Sequence, residues 1–194
     1  MQVHQGLDNF KKLRHAVVTS GTFDGVHIGH QKILARLRKV TENEGGESVL
    51  LTYWPHPRSV LYPKQPLHLL SSIDEKAALL EQMGVHHFVI IPFTKTFSQI
   101  SSEEFIRSIL VGKIGTRKLV IGYNHRFGKN REGSFEELKK NTERYGFQVE
   151  EISRQTIDQV SISSTKIRKA LEEGRVDAGN KYLGRPYEIS GIVV

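Results

Sequence analysis

The sequence lacks cysteine altogether and has only two methionines, one tryptophan and six prolines among its 194 residues. Without cysteine, the chain can form no disulfide, use no thiol nucleophile and bind no metal through sulfur. It also has no uninterrupted apolar run of the ~18 residues that span a bilayer, and its first residues contain no hydrophobic signal segment. We therefore expect a cytoplasmic protein with no membrane partner and no thiol-based chemistry.

The chain does have a basic charge and the composition of an ordinary globular protein. Hydrophobic residues make up 38% and charged residues 25%, and the formal net charge is +7. Its length suits one domain with a short appendage. The positive charge favours an anionic partner, which could be nucleic acid, an acidic surface or a phosphorylated small molecule. Charge alone does not choose among these three.

Short aliphatic runs alternate with amphipathic segments along the chain, which is the pattern of parallel βαβ units. The predicted strands are Ala16–Ser20, Ser48–Thr52, His87–Ile91, Lys118–Ile121 and Phe147–Ile152. Helical apolar spacing, serine caps and closing glycines predict helices over Gln31–Val40, Ser72–Met83, Ser102–Leu110, Ser134–Tyr145 and Ser164–Glu173. Tyr53–Leu67 holds four of the six prolines and is predicted to be a loop. The sequence therefore predicts an α/β protein with one five-stranded parallel sheet flanked by helices.

The first motif, GTFDGVHIGH at residues 21–30, lies between the first predicted strand and the first predicted helix. Ligands of open parallel sheets bind at the carboxyl ends of the strands, and the free amides of a helix start attract phosphate. His27 and His30 are three residues apart and can point at the same ligand. Because the segment matches neither the Walker A pattern nor G-x-G-x-x-G, its specific feature is H-x-G-H. It predicts a phosphate site.

Two other interpretations of these histidines stay open. Each histidine on its own could be a capping or surface residue. His27, His30 and His56 could together bind zinc, although no acidic or cysteine fourth ligand has convincing spacing.

The second motif, SISSTKIR at residues 161–168, also opens a predicted helix. Ser164 is the predicted N-cap, and Arg168 lies about one turn further on, where its guanidinium can bind phosphate oxygens through two donors. An N-capped surface helix is the alternative. Two helix starts at one edge of a parallel sheet, both with phosphate donors, favour a triphosphate site.

These paired motifs resemble those of the HIGH-type nucleotidyltransferase superfamily. More specifically, the chain is similar to the N-terminal FMN adenylyltransferase module of the bacterial bifunctional riboflavin kinase/FAD synthetases. The similarity runs from Val17 to the last residue, through TFDGVH (22–27), PHPR (55–58), IGYNHRFG (121–128) and ISSTKIR (162–168). It implies a Rossmann-like fold and an enzyme that transfers AMP from ATP to FMN with Mg²⁺, giving FAD and pyrophosphate.

The resemblance also implies which residues form the site. The implied catalytic residues are His27, His30 and Arg168. The implied ATP-binding residues are Gly21, Thr22, Phe23, Asp24, Gly25, His27, Gly29, His30, Ser163, Ser164, Thr165 and Arg168. The implied FMN-binding residues are His56, Pro57, Asn124, Arg126 and Phe127, and no side chain is expected to bind a metal.

Within this scheme, Asp24 is expected to orient a histidine or a metal-bound water. The family usually has phenylalanine where this chain has His125, so an aromatic side chain that would stack on flavin is absent. Alternative interpretations are a rigid turn for residues 54–57 and a basic surface loop around Arg126.

The resemblance divides the chain into an adenylyltransferase domain, residues 1–184, and residues 185–194, the expected linker and first strand of a riboflavin kinase module. The kinase motif would lie beyond Val194, so we expect no kinase activity. Other phosphorylated acceptors, a non-catalytic flavin or nucleotide sensor and a nucleic-acid-binding module remain alternatives. No RNP, KH or helix-turn-helix pattern is evident, and we expect no nucleic-acid partner.

Overall fold

A computed structural model of the chain describes residues 1–153 and 162–191. In these residues, six strands form one parallel sheet in the order β1-β4-β3-β2-β5-β6. The strands are β1 (Gln2–Gln5), β2 (Ala16–Ser20), β3 (Glu47–Trp54), β4 (His87–Pro92), β5 (Thr116–Gly122) and β6 (Gln148–Ile152). The α/β class, the Rossmann-like fold and all five predicted strands are confirmed.

The predicted number of five strands is wrong, because β1 adds a sixth strand at the edge of the sheet. It pairs in parallel with β4, with Gln2 opposite His87 and Gln5 opposite Ile90. Its side chains are mostly exposed and mostly polar. An edge strand with no buried face has no apolar alternation, so the sequence contained little signal for it.

The strand order creates a switch point next to β2. From β2 the chain builds β3 and β4 on one side, and it then crosses to the other side to form β5 and β6. In such sheets, the crevice at the carboxyl ends of the two strands flanking the switch point is the usual ligand site. The turn after β2 and the loop after β5 therefore lie side by side.

Helices cover both faces of this sheet. They are α1 (Ile28–Glu44), α2 (Pro57–Leu61), α3 (Ile73–Gln82), α4 (Ser102–Glu104), α5 (Phe135–Tyr145), α6 (Ser164–Glu172) and α7 (Val176–Leu183). A π-helical segment, Phe105–Ile114, continues α4. Short 3₁₀ turns occupy Phe97–Gln99 and Lys129–Arg131.

The predicted loop over Tyr53–Leu67 is wrong in part. Strand β3 continues to Trp54, and α2 begins at Pro57. Proline is well suited to the first position of a helix because its missing N–H would have no partner there. The helix α7 was not predicted.

Two apolar cores hold the layers together, one on each face of the sheet. Leu34 of α1 and Leu80 of α3 pack on one face, and Ile106 and Leu138 pack on the other. A third, small cluster of Leu70, Ile167 and Leu183 attaches α6 and α7 to the loop before α3.

The last described residues, 185–191, form neither helix nor strand, and residues 192–194 of the predicted kinase strand lie outside the described residues. In the described part of the chain, no helix is both long and apolar enough to cross a bilayer.

Candidate active site

The turn between β2 and α1 has an unusual backbone. Phe23 and Val26 have φ values of 46° and 39°, a region that β-branched residues such as valine rarely adopt. Gly25 lies between them at φ 77°, and an added Cβ there would come within 2.9 Å of the Leu70 side chain. Such strain persists where the surroundings fix the conformation, and it occurs often at functional sites.

Hydrogen bonds from distant residues hold this turn. The Ser71 hydroxyl accepts from the Gly25 amide at 3.2 Å, and Gln31 donates its side-chain amide to the Val26 carbonyl at 3.0 Å. Arg185 donates to the Gly25 carbonyl at 3.0 Å. The turn is therefore fixed by the loop before α3, by α1 and by the residue that follows Gly184.

The structure brings the two motif histidines together. Their ring centroids lie 3.6 Å apart with an interplanar angle of 14°, and the Phe23 ring lies 4.7 Å from that of His30. Burial lowers the pKa of His27 to about 4 and lowers the pKa of His30 well below its ordinary value. Both imidazoles are therefore neutral at pH 7.

His27 is the N-cap of α1, and this role fixes its tautomer. Its Nδ1 accepts a hydrogen bond from the His30 amide at 3.3 Å. Since Nδ1 is the acceptor, the proton of the neutral ring is on Nε2, which can donate. The sequence spacing predicted that the two histidines can reach the same ligand, and the structure adds that His27 caps the helix and that the two rings stack.

Asp24 and Arg168 join the two motifs through a largely buried ion pair. The Asp24 carboxylate also accepts from the Leu70 amide at 3.0 Å, and Arg168 Nε donates to the His68 carbonyl at 2.6 Å. The side chain of Asp24 is 2% exposed and that of Arg168 is 11% exposed. Asp24 thus orients Arg168, a partner that the sequence did not predict for it.

The second motif begins its helix one residue earlier than predicted. Ser163, whose backbone is extended, caps α6 by accepting from the Lys166 amide at 3.3 Å. The predicted N-cap, Ser164, is the first helical residue. Its hydroxyl donates to the Asp24 carbonyl at 2.9 Å and so does not cap the helix. Thr165 is exposed on the first turn, and Ser161 lies outside the described residues.

Lys76 was missed by the sequence analysis. It lies on α3, is only 4% exposed and donates from Nζ to the Thr22 carbonyl at 2.7 Å. Burial lowers its pKa to about 8, although the negative charge of Asp24 acts to raise it. A signal was present, because Lys76 interrupts the apolar stripe formed by Ile73, Ala77 and Leu80 at helical spacing.

The proline-rich segment after β3 reaches the same charges. His56 caps α2 by accepting from the Arg58 amide at 3.1 Å, and Pro57 follows at the first helical position. Burial lowers the pKa of His56 to about 4, and the charges of Asp24, Arg168 and Lys76 also act on it. His56 therefore lies close to the residues of both motifs.

The loop after β5 carries the remaining predicted site residues. Asn124 and Arg126 are exposed. His125 hydrogen-bonds through Nε2 to the Ser20 hydroxyl at 2.8 Å, which ties this loop to the end of β2, and burial lowers its pKa to about 4. Phe127 is only 6% exposed and its ring lies 5.4 Å from that of Phe105, so it supports the loop from the core.

The donor set of the site suits phosphate better than metal. In residues 1–153 and 162–191, no group of three or more histidine or acidic side chains is arranged to hold a metal ion. The zinc interpretation of His27, His30 and His56 is therefore unsupported. The two motifs and Lys76 instead provide neutral histidines, hydroxyls, a lysine and an arginine, which are hydrogen-bond donors of the kind that phosphate oxygens accept.

Comparison with known proteins gives a consistent family. A family model described as FAD synthetase matches residues 9–166. The bifunctional riboflavin kinase/FMN adenylyltransferase of Buchnera aphidicola subsp. Schizaphis graminum is 37% identical over 196 residues, covering 100% of this chain and 63% of that protein. The protein of the same name from Pseudomonas fluorescens is 36% identical, covering 100% of this chain and 62% of the relative.

The chain thus spans less than two thirds of the length of these relatives. Among solved structures, a Streptococcus pneumoniae protein described as a macrolide-efflux protein is similar with a TM-score of 0.83 and 23% identity. The match covers 96% of this chain and 61% of that one. This likeness supports the fold alone.

Proposed function

The chain belongs to the FAD synthetase family, and from this premise we propose that it is an FMN adenylyltransferase, which transfers AMP from MgATP to FMN and yields FAD and pyrophosphate. The observation that carries the proposal is the stacked pair of neutral histidines, His27 and His30, at the carboxyl edge of the sheet. We place the reaction in the cytoplasm, with ATP and FMN as the small-molecule partners, and we expect a riboflavin kinase module in the longer relatives.

The triphosphate would lie between the two motifs. His27 would donate from Nε2 and His30 from its imidazole to phosphate oxygens. Ser163, Ser164 and Thr165 lie at the start of α6, whose free amides favour the β- and γ-phosphates.

Arg168 has donor N–H groups left for these phosphates. Within the described residues its Nε and Nη2 are used by the His68 carbonyl and by Asp24. The two N–H groups of Nη1, which has no hydrogen-bond partner among these residues, and the second N–H of Nη2 are therefore available to contact phosphate oxygens. Asp24 acts as a positioning residue for this arginine.

Mg²⁺ would enter as part of the MgATP substrate. The carboxylate of the first motif, Asp24, already accepts from Leu70 and Arg168. Phosphate oxygens are therefore the better ligands for the ion, which also prefers to keep several waters. Bound in this way, Mg²⁺ would neutralise charge on the triphosphate.

The chemistry is one in-line displacement. An oxygen of the FMN phosphate forms a bond to the α-phosphorus of ATP, the bond between that phosphorus and the α–β bridging oxygen breaks, and pyrophosphate leaves with the electron pair. The second pKa of a phosphomonoester is roughly 6, so the nucleophile is already ionised and needs no general base. Positioning and charge stabilisation therefore supply the rate.

The flavin would bind between the segment after β3 and the loop after β5. His56 and Pro57 form one wall, and Asn124 and Arg126 form the other, with the Arg126 guanidinium available to the FMN phosphate. Phe127 would hold this second wall in place from beneath. The hydrogen bond between Ser20 and His125 sets the position of the loop relative to the first motif.

The test is incubation of the purified chain with FMN, ATP and Mg²⁺, in which FAD and pyrophosphate are quantified separately. We expect equal amounts of the two products, and no product when riboflavin replaces FMN. Nicotinamide mononucleotide and phosphopantetheine serve as competing acceptors. Product from one of these but not from FMN would reject the flavin assignment, and no product from any acceptor would support a binding-only protein.

A further inference from the structure

The ammonium of Lys76 is a buried positive charge that the mechanism above does not use. Its side chain extends from α3 to the turn after β2, where Nζ donates to the carbonyl oxygen of Thr22 at 2.7 Å. The residue is 4% exposed. An ammonium has three donors, and among the described residues this carbonyl is its hydrogen-bond partner.

The ammonium of Lys76 lies against the first motif. Its hydrogen bond to the Thr22 carbonyl fixes it at the turn after β2, at the edge of the sheet where both substrates would bind. Burial is the main cause of the lowered pKa values of His30 and His56, and the charge of Lys76 adds to both. Lys76 therefore acts on residues of the proposed ATP side and of the proposed FMN side.

Residues 1–153 and 162–191 supply little compensation for this charge. The carboxylate that acts on Lys76, Asp24, forms its ion pair with Arg168. A buried charge without a full counterion is unfavourable unless a bound anion completes its environment. An anion bound beside the ammonium, at the turn after β2, would do so.

We propose that Lys76 is a further catalytic residue, whose ammonium donates a hydrogen bond to a non-bridging oxygen of the α-phosphate during AMP transfer. This inference rests on the proposed function. The reaction takes place at the α-phosphate of ATP. Its non-bridging oxygens must remain stabilised while the bond to FMN forms and the bond to pyrophosphate breaks. A fixed cation at this position stabilises the transition state without reorganisation.

A purely structural role is the competing explanation, because the hydrogen bond to Thr22 also holds the turn. The two roles differ in what they need. Holding the carbonyl needs any donor at the end of the side chain, whereas stabilising the phosphate needs the positive charge. The test must therefore remove the charge and keep the donor.

The absence of cysteine makes such a test available, since a Lys76→Cys variant carries a single thiol. Alkylation of the unfolded variant with bromoethylamine rebuilds an ammonium of nearly the original length. Alkylation with bromoethanol gives a hydroxyl, which can still donate to the Thr22 carbonyl. Both products are refolded, and their melting temperatures and kcat for FAD formation are compared. Lys39→Cys, at an exposed position of α1, receives the same two treatments as a control.

We expect the aminoethylated Lys76→Cys protein to recover kcat to within about tenfold of the wild type. The hydroxyethylated protein should stay roughly 10²–10³ lower, which is the usual effect of losing one transition-state donor. The control should show no difference between the reagents. Equal kcat for the two alkylated Lys76→Cys proteins, both with melting temperatures near that of the wild type, would overturn the inference.

A second measurement does not depend on refolding after alkylation. The pKa of Lys76 is lowered to about 8 by its burial, so kcat/KM of the wild type should fall as the pH rises above this value. The Lys76→Arg variant, whose guanidinium stays charged, should lose this alkaline decline. The same decline in both proteins would contradict the inference.

Wild-type turnover, measured alongside, distinguishes a failure of the proposed function from a failure of the role of Lys76 alone. A wild type that makes no FAD rejects the proposed function and this inference with it. An active wild type whose Lys76→Arg variant has an unchanged pH profile, and whose hydroxyethylated variant keeps full kcat, rejects the role of Lys76 alone.

Discussion

The carboxylate of Asp24 and the guanidinium of Arg168 form an ion pair that joins residues 144 positions apart in the sequence. This pair connects the turn after β2 with α6, so the two halves of the proposed triphosphate site are held in one arrangement. The side chain of Asp24 is buried, at 2% exposure, and that of Arg168 is largely buried, at 11%. Removing one partner would leave the other as an uncompensated charge.

The first prediction concerns this pair. Asp24→Asn should lower the free energy of unfolding by about 3 kcal/mol, the usual scale for one lost partner of a buried ion pair. Arg168→Gln should cost a similar amount, and the double variant should cost clearly less than the sum. Urea denaturation of the four proteins measures the coupling. Additive effects within about 0.5 kcal/mol would show that the pair is not an energetic unit.

The second prediction concerns Arg185. Its guanidinium donates to the carbonyls of Gly25 and Val26, at 3.0 and 3.5 Å, in the turn that positions His27. Arg185→Gln should raise KM for ATP roughly tenfold, because a hydrogen bond from a charged group contributes about 1.5–3 kcal/mol. Arg175→Gln is a matched control, since Arg175 pairs with Glu173 on the surface.

An unchanged KM for ATP in Arg185→Gln would show that the turn keeps its shape without this contact. Equal effects of Arg185→Gln and Arg175→Gln would point to a general change in charge rather than to the turn.

The third prediction is a loss of stability in weak acid. Burial lowers the pKa of His27, His56 and His125 to about 4, whereas unfolding returns each to about 6.5. Between these values the unfolded chain binds more protons than the folded chain, so stability is full above pH 6.5 and falls as the pH is lowered towards 4. Melting temperatures measured across this range should fall steadily.

A variant at His125 tests how much of this fall in melting temperature with pH comes from one residue. His125→Phe removes one titrating imidazole and should make the decline in melting temperature shallower. A slope in His125→Phe equal to that of the wild type would contradict the assignment of His125 to this effect.

The fourth prediction separates the two substrates. Arg126 is exposed in the loop after β5 and is proposed to bind the FMN phosphate. Arg126→Gln should raise KM for FMN by roughly tenfold, as expected for one charged hydrogen bond, with a smaller change in KM for ATP. Lys139→Gln removes a positive charge from the exposed side of α5 and is the control. Parallel increases in both KM values would argue against the assignment.

Much of the site was predictable because its chemistry is local in the sequence. The first motif directly follows a buried strand and opens a helix, so the position of His27 and His30 at the carboxyl edge follows from the parallel sheet. The Ser72 cap of α3 was equally local, and the structure shows a complete capping box with Glu75. In these cases, short-range hydrogen bonds determine the structure.

The long-range features were not predictable. The pairing of Asp24 with Arg168, and the contact of Arg185 with the turn, depend on how distant segments pack. The N-cap of α6 is Ser163 rather than Ser164, and this shift also involves a distant residue. The Ser164 hydroxyl donates to the Asp24 carbonyl, which is far away in the sequence. Phe127 was among the residues implied to bind FMN, yet its ring packs in the core. A sequence motif shows which residues are present but not which way each side chain faces.

The central claim is that AMP passes from ATP to FMN at the histidine pair, and one labelling experiment tests it most directly. Wild type and His30→Ala are incubated with FMN, Mg²⁺ and ATP that carries a radiolabel either on the α- or on the γ-phosphorus. We expect the α-label to appear in FAD and the γ-label in pyrophosphate, with transfer by His30→Ala slower by roughly 10²–10³. An unlabelled flavin product from α-labelled ATP, or undiminished transfer by His30→Ala, would contradict the account.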